Sequence, residues 1–344
     1  MGRFTPNSDI HHGLKQVSDN YRHNRGVLAI FNVTFPFFAL VLCGYVAARR
    51  AYLPLDAITG LNSFVLYFSL PCMLYRFGAS TPIAQLLDGS VFLTWTLCAL
   101  LMVGFTITTT LNRRNAWNDA SFGALVAAFP NTGFMGVPLL VALLGAQAAG
   151  PMIVTIVVDM LITSSLCVAL SRMDAAGTHG MAVAWRNALK GMVFNPMPWG
   201  IILGTLASAT QFELPAPAMK TLSLLADAAS PVALFTIGAV LARSNMLAGQ
   251  AVIPLRDYLP VAVFKLLLHP ALVLGVGVTL IQLGLPLGRF ALLVMVLVAA
   301  LPSASNVSIL AERFGANNGR IARIILVSTA AAFFSFSALV ALLT

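Results

Sequence analysis

Phe129-Pro130-Asn131-Thr132-Gly133-Phe134-Met135-Gly136-Val137-Pro138 interrupts one long apolar run of this chain, and Leu301-Pro302-Ser303-Ala304-Ser305-Asn306 interrupts another. Proline has no N–H to donate, and its ring clashes with the carbonyl four residues back, so each stretch breaks a helix. Inside a bilayer a freed backbone group is tolerated only where protein or a water-filled cavity satisfies it. A pair of interrupted spans at corresponding places in two halves of a chain is the sequence mark of a central binding site in a secondary transporter.

The composition agrees with a membrane location. Of 344 residues, 59% are hydrophobic and only 9% charged, and the mean hydropathy is +0.89. A soluble domain carries about 25% charged residues, so this chain has too little polar surface to cover a water-soluble globule. The net charge of +9 does not point to nucleic acid, because the basic residues sit in short loops between apolar runs. Cys43, Cys72, Cys98 and Cys167 all fall within apolar segments without a Cys-x-x-Cys pattern. They read as small buried hydrophobes rather than disulfides or metal ligands. No Walker A loop, Gly-x-Ser-x-Gly elbow or His-Glu-x-x-His helix occurs, so neither an ATP-driven pump nor an enzyme is expected, and no cofactor or metal. Residues 1–26 form a polar tail with His11, His12 and His23 and no apolar signal-peptide core, and it reads as disordered.

A hydrocarbon core about 30 Å thick needs roughly 20 apolar residues of helix. Ten segments meet that demand: 28–48, 60–78, 90–111, 120–144, 148–170, 192–210, 218–242, 255–282, 288–313 and 319–343. The expected fold is therefore an all-α polytopic membrane protein. With the N-terminus outside, the inside loops carry twelve Lys and Arg: Arg49, Arg50, Arg113, Arg114, Arg172, Arg186, Lys190, Arg243, Arg256, Arg313, Arg320 and Arg323. The outside loops carry three (Arg76, Lys220, Arg289), or seven with the tail. The positive-inside rule then places both termini outside.

The chain also repeats itself. Pro36 and Gly44 recur as Pro196 and Gly204, and Pro71 as Pro231, each 160 residues on. Leu53-Pro54 recurs as Leu214-Pro215 after 161 residues, and Pro130 as Pro302 after 172. Five helices per copy is an odd number, so the second copy enters the membrane from the opposite side and the repeat is inverted.

These stretches, with Gly60-Leu61-Asn62 and Ala311-Glu312-Arg313-Phe314-Gly315, resemble the auxin efflux carrier family in its bacterial, malonate-transporter-like branch. The likeness covers nearly everything after residue 27, and Asn-Thr-Gly-Phe-x-Gly-x-Pro is its most specific part. It implies ten helices in two inverted five-helix repeats, residues 27–171 and 191–344, joined by a short cytoplasmic loop at 172–190. It further implies a scaffold of helices 1, 2, 6 and 7 and a transport domain of helices 3–5 and 8–10, in which helices 4 and 9 unwind and cross at mid-membrane. A substrate carboxylate would bind near that crossing, and a homodimer would form through the scaffold helices. The central loop lacks the long regulatory insert of the plant carriers, so the resemblance does not by itself imply their phosphorylation control or auxin as the substrate.

The residues of the two breaks define the candidate site: Pro130, Asn131, Thr132, Gly133, Pro302, Ser303, Ser305 and Asn306. An amide donates N–H bonds to a carboxylate without the desolvation cost of a buried lysine, and broken half-helices add backbone donors at their N-termini. Alternatively the two asparagines cap the freed backbone. Asp159 and Lys265 lie at depth in the fifth and eighth segments, and a charge there is paired, neutralised or facing a cavity. They are candidates for proton or sodium coupling or for a structural ion pair, by analogy with sodium–proton antiporters. His269, before Pro270, reads as a helix-end residue, with a proton relay as the alternative. Asp227, in the first turns of the seventh segment, reads as an acid that faces the cavity or favours the helix N-terminus, Glu312 with Arg313 as an interfacial charge pair, and Ser303, Ser305 and Ser308 as ion ligands or interhelical glue.

The function expected is secondary or potential-driven transport of small organic anions, malonate-like or auxin-like acids, by alternating access. The rivals are a sodium- or proton-coupled carrier of another substrate on the same fold, and a membrane sensor that binds without moving its ligand.

Overall fold

The computed structural model describes residues 35–80, 88–112, 115–173, 196–248 and 253–343. The polar tail, the start of the first segment, Arg113, Arg114, most of the central loop with Arg186 and Lys190, and Thr344 lie outside the described residues. Among the described residues the structure is helical, and twelve helical pieces follow one another. They are α1 Phe35–Arg49, α2 Leu55–Ser80, α3 Gly89–Thr110, α4 Trp117–Ala128, α5 Val137–Leu144 and α6 Ala146–Leu170. Then come α7 Pro196–Thr210, α8 Ala216–Ala248, α9 Leu255–Gln282, α10 Arg289–Ala299, α11 Asn306–Arg313 and α12 Asn318–Leu343. Each of the ten predicted segments contains helix. The two proline-broken segments appear as the pairs α4/α5 and α10/α11, and six helices are long and apolar enough to cross a membrane on their own.

Local chemistry sets the ends. Asp88 caps α3, its Oδ1 accepting the Ser90 N–H at 2.9 Å and the Val91 N–H at 3.2 Å, which satisfies two of the orphan donors of a helix start. Gly145 (φ 85°) ends α5 and Gly315 (φ 71°) follows α11, the left-handed conformation that glycine adopts most cheaply.

Other prolines are absorbed rather than breaking their helices. Pro71, Pro138 and Pro270 each stand two residues beyond a π-helical turn, at Val65–Ser69, Thr132–Gly136 and Phe264–Leu268. The wider turn opens the hydrogen-bond ladder where the pyrrolidine ring would otherwise meet a carbonyl. A fourth π-turn, Asp159–Thr163, lies in α6 without a proline.

The two broken helices are the most enclosed part of the molecule. Every residue from Ala120 to Ala128 of α4 and from Val294 to Ala299 of α10 is buried. Around them α3 shows the reverse face: Phe92, Leu93, Leu97, Leu100, Leu101 and Phe105 are exposed while Thr94, Trp95 and Thr106 are buried. An outer face that is apolar from Phe92 to Phe105, with the polar side chains of Thr94 and Thr106 turned inward, is the pattern of a helix bathed in lipid.

Glycines weld a second group of helices backbone to backbone. A Cβ on Gly44 of α1 would overlap the Phe235 carbonyl of α8, and one on Gly204 of α7 would overlap the Tyr75 carbonyl of α2. A Cβ on Gly238 would likewise overlap the Val41 carbonyl, and one on Gly78 would press on that of Ile201. These contacts exchange when each residue is replaced by the one 160 positions away. The positive-φ residues that follow α1 and α7, Ala51 and Gln211, stand 160 apart as well. The equivalence therefore extends from residue type to backbone conformation and packing.

Four sequence readings need correction here. Arg320 is not a loop cation: it is 2% exposed, donates to the carbonyls of Asp257 (2.7 Å) and Asp119 (2.8 Å), and ties α12 to the starts of α9 and α4. Asp227 is well inside α8 and pairs at 2.7 Å with Arg76, which belongs to α2 rather than to a loop. Of the cysteines only Cys98 and Cys167 are buried, whereas Cys43 is exposed. The Glu312–Arg313 pair does not form, and Glu312 instead accepts from Asn318 at 3.4 Å.

Candidate functional site

The broken segments meet each other. Pro130 and Ser303 form an antiparallel bridge, in which the Asn131 N–H donates to the Pro302 carbonyl at 2.8 Å and the Ala304 N–H to the Phe129 carbonyl at 3.0 Å. Each break thus supplies the partners that the other lost, which resolves the cost of opening a helix away from water. Gly136 lets the strands close up, since a Cβ there would come 2.6 Å from the Leu301 side chain.

What remains unpartnered at the meeting point is side chain. The amide oxygens of Asn131 and Asn306 and the hydroxyl of Thr132 are buried without a hydrogen-bond partner. Asn131 makes no side-chain cap on the turn that follows it; its main-chain carbonyl instead accepts from Met135 (3.1 Å) and Gly136 (3.0 Å). Ser303 faces α12, its N–H and hydroxyl both 3.3 Å from the Ser328 hydroxyl. Ser305 stands just before α11, accepting at its main-chain oxygen from the Ser308 hydroxyl at 3.0 Å. Pro130, Pro302 and Gly133 supply backbone shape rather than polar groups.

Asp159 and Lys265 are both fully buried, and each lies in one of the π-turns. They do not touch: among the described residues the ion pairs within 4.0 Å are Arg76–Asp227 and Arg256–Asp257. Asp159 Oδ1 accepts from the indole N–H of Trp95 and from the Thr163 hydroxyl, each at 3.0 Å, and its Oδ2 has no partner. Lys265 Nζ donates to the carbonyl of Ala299 at 2.8 Å and lies 2.9 Å from His269 Nδ1. The Trp95 and His269 rings pack with centroids 5.4 Å apart, joining the two ends. The Ala299 carbonyl is at the last turn of α10, where a helix carries partial negative charge and lacks intrahelical donors. The ammonium therefore caps the broken helix. His269 is not a helix-end residue, since it continues α9 directly from the π-turn.

Trp95, Thr163 and Ser328 are not singled out by sequence, and His269 is weighed there chiefly as a helix-end residue. His269 had a readable signal, because positions i and i+4 share a helix face and it stands four residues after Lys265. Trp95 and Ser328 had none, since only the fold brings α3 to α6 and α12 to the second break.

The comparisons agree with this architecture. Residues 29–340 match the family described as Membrane transport protein. The chain is 31% identical over 304 residues to a protein of Rhizobium meliloti (strain 1021) named "Putative malonate transporter", covering 87% of this chain and 91% of that one. It is 27% identical over 293 residues to the "Uncharacterized transporter YfdV" of Escherichia coli (strain K12), covering 81% and 86%. With a family match over nearly its whole length, on a helical frame whose outer face is apolar, this chain belongs to the membrane transport protein family and is a membrane transporter.

Proposed function

We propose that the protein moves small organic anions, carboxylates of the malonate type, across the bacterial inner membrane by alternating access and without ATP. The observation that carries this reading is the meeting of the two broken helices. Their backbones satisfy each other while the amide oxygens of Asn131 and Asn306 and the Thr132 hydroxyl are buried without a protein partner. Such atoms are costly unless engaged: a carboxylate, itself an acceptor, would be held by the Thr132 O–H and the amide N–H groups, with water donating to the amide oxygens. The helical segments that follow the two breaks begin at Thr132 and Asn306, and the positive end of a helix dipole favours an anion. The printed name of the Rhizobium relative points to the same class of substrate.

On this reading the chain spans the membrane ten times as two inverted five-helix repeats, 27–171 and 191–344, with helices 4 and 9 crossing at Pro130 and Pro302. The exchange of glycine contacts 160 residues apart supports the repeat. The scaffold is α1, α2, α7 and α8, whose close backbone packing suits a rigid frame; the transport domain is α3–α6 and α9–α12, rocking against it. Asp159 and Lys265 are the coupling groups, with protons or sodium as the coupled ion, and both termini are periplasmic.

The test is uptake of radiolabelled malonate into liposomes holding the purified protein, without nucleotide, across an imposed ion gradient. Uptake above protein-free liposomes is expected. Strict dependence on added ATP overturns the reading, and tight malonate binding with no movement makes the protein a sensor.

A further inference from the structure

We propose that Lys265 and His269 hold one exchangeable proton between them and form the proton-coupling site of the transporter. This rests on the transport reading of the crossing but names a group that the reading lacks, and it selects protons over sodium.

The geometry constrains the charge. Lys265 Nζ and His269 Nδ1 are 2.9 Å apart in side chains 0% and 1% exposed. A hydrogen bond needs one donor and one acceptor. With lysine as the ammonium, Nδ1 must offer its lone pair, so the imidazole is neutral with its proton on Nε2. Two positive charges at that separation, away from water, repel strongly. The pair therefore carries one added proton or none. A proton passing along the bond leaves lysine as a neutral amine and the ring as imidazolium with total charge unchanged; loss from Nε2 to water then leaves both neutral.

The surroundings tie that charge to the crossing. Lys265 also holds the Ala299 carbonyl at 2.8 Å, the end of the half-helix that precedes the second break, so a change in its charge alters the capping of α10. The opposing charge is Asp159, reached through Trp95, whose N–H it accepts and whose ring lies against His269. The π-turn of α9 packs against α4 and α12, and α3 and α10 meet the pair through Trp95 and Ala299. Their charged residues lie at or near the starts of these helices: Asp119 in α4, Arg320 and Arg323 in α12, Arg289 in α10 and Asp88 before α3. Arg320 is bonded to Asp257, eight residues before Lys265 on α9, or about 12 Å along a helix.

Two measurements on the full chain decide this. In the first, nitrogen-15 NMR of histidine-labelled protein in nanodiscs identifies the His269 signal by its loss in His269→Gln. A bare, hydrogen-bonded Nδ1 with a protonated Nε2 is expected, shifting in Lys265→Met. An imidazolium alongside a charged Lys265, or a signal indifferent to Lys265→Met, overturns the proposal. In the second, liposomes loaded with a pH indicator take up malonate. Wild type moves protons with malonate, whereas in His269→Gln, which keeps an acceptor for Lys265 but holds no proton, the protons moved per malonate fall roughly tenfold or more. An unchanged ratio of protons to malonate in His269→Gln overturns the coupling role. Absence of malonate flux in wild type counts against the transport reading, and the NMR result then decides the shared proton by itself.

Discussion

Replacing Asn131 or Asn306 by alanine separates binding from folding, because the structure gives neither amide oxygen a partner to lose. Both oxygens are buried without a hydrogen bond, and the backbones of the two breaks are held together by main-chain bonds at 2.8 and 3.0 Å that alanine retains. The stability change should therefore stay below about 1 kcal/mol, the usual size of a net hydrogen bond. Bonds from the amides to a carboxylate are worth about 1.5–3 kcal/mol each, so each variant should bind malonate on the order of ten- to a hundredfold more weakly. Titration calorimetry of the purified variants gives the affinity, and thermal denaturation in the same detergent gives the stability. In the double variant the losses should not add, since both amides would serve one ligand. Variants that bind normally but melt early would show that the amides are structural and the ligand lies elsewhere.

Three further outcomes follow from named contacts. Gly44→Ala and Gly204→Ala should each destabilise by about 1–3 kcal/mol through overpacking against the Phe235 and Tyr75 carbonyls, read as a lowered melting temperature. Gly60→Ala, with nothing within 4 Å of its Cβ, should be neutral or mildly stabilising, and equal behaviour of all three would remove the close-packing argument. Asp159→Asn keeps an oxygen for the Trp95 and Thr163 donors, so it should fold and bind malonate while the pH dependence of transport flattens; an unaltered profile would exclude Asp159 from coupling. A reporter active only in the cytoplasm, fused after Thr344, should stay silent, and a strong signal would mean an odd number of spans.

Much of the frame was readable before any fold was known, for reasons that differ from element to element. Bounds such as 255–282 coincide with α9 because a membrane helix is marked by a continuous apolar length. The breaks at Pro130 and Pro302 were placed correctly because proline acts on its own helix. By contrast Pro71, Pro138 and Pro270 look like further breaks in sequence and are absorbed in π-turns. Arg320 looks like a topology signal and is a buried tether. Asp159 and Lys265 invite a direct pairing that the structure replaces with a route through Trp95 and His269.

The sequence by itself determined the oily segments, the two proline breaks and the internal spacing of 160, since hydrophobic length and proline sterics are properties of a chain with its immediate neighbours. Tertiary structure alone decided that the two breaks bond to each other, that Lys265 caps the Ala299 carbonyl, and that Ser328 answers Ser303. Those contacts join residues 25 to more than 170 positions apart, and which of many similar side chains meets which carbonyl depends on the depth and rotation each helix takes when packed against the others.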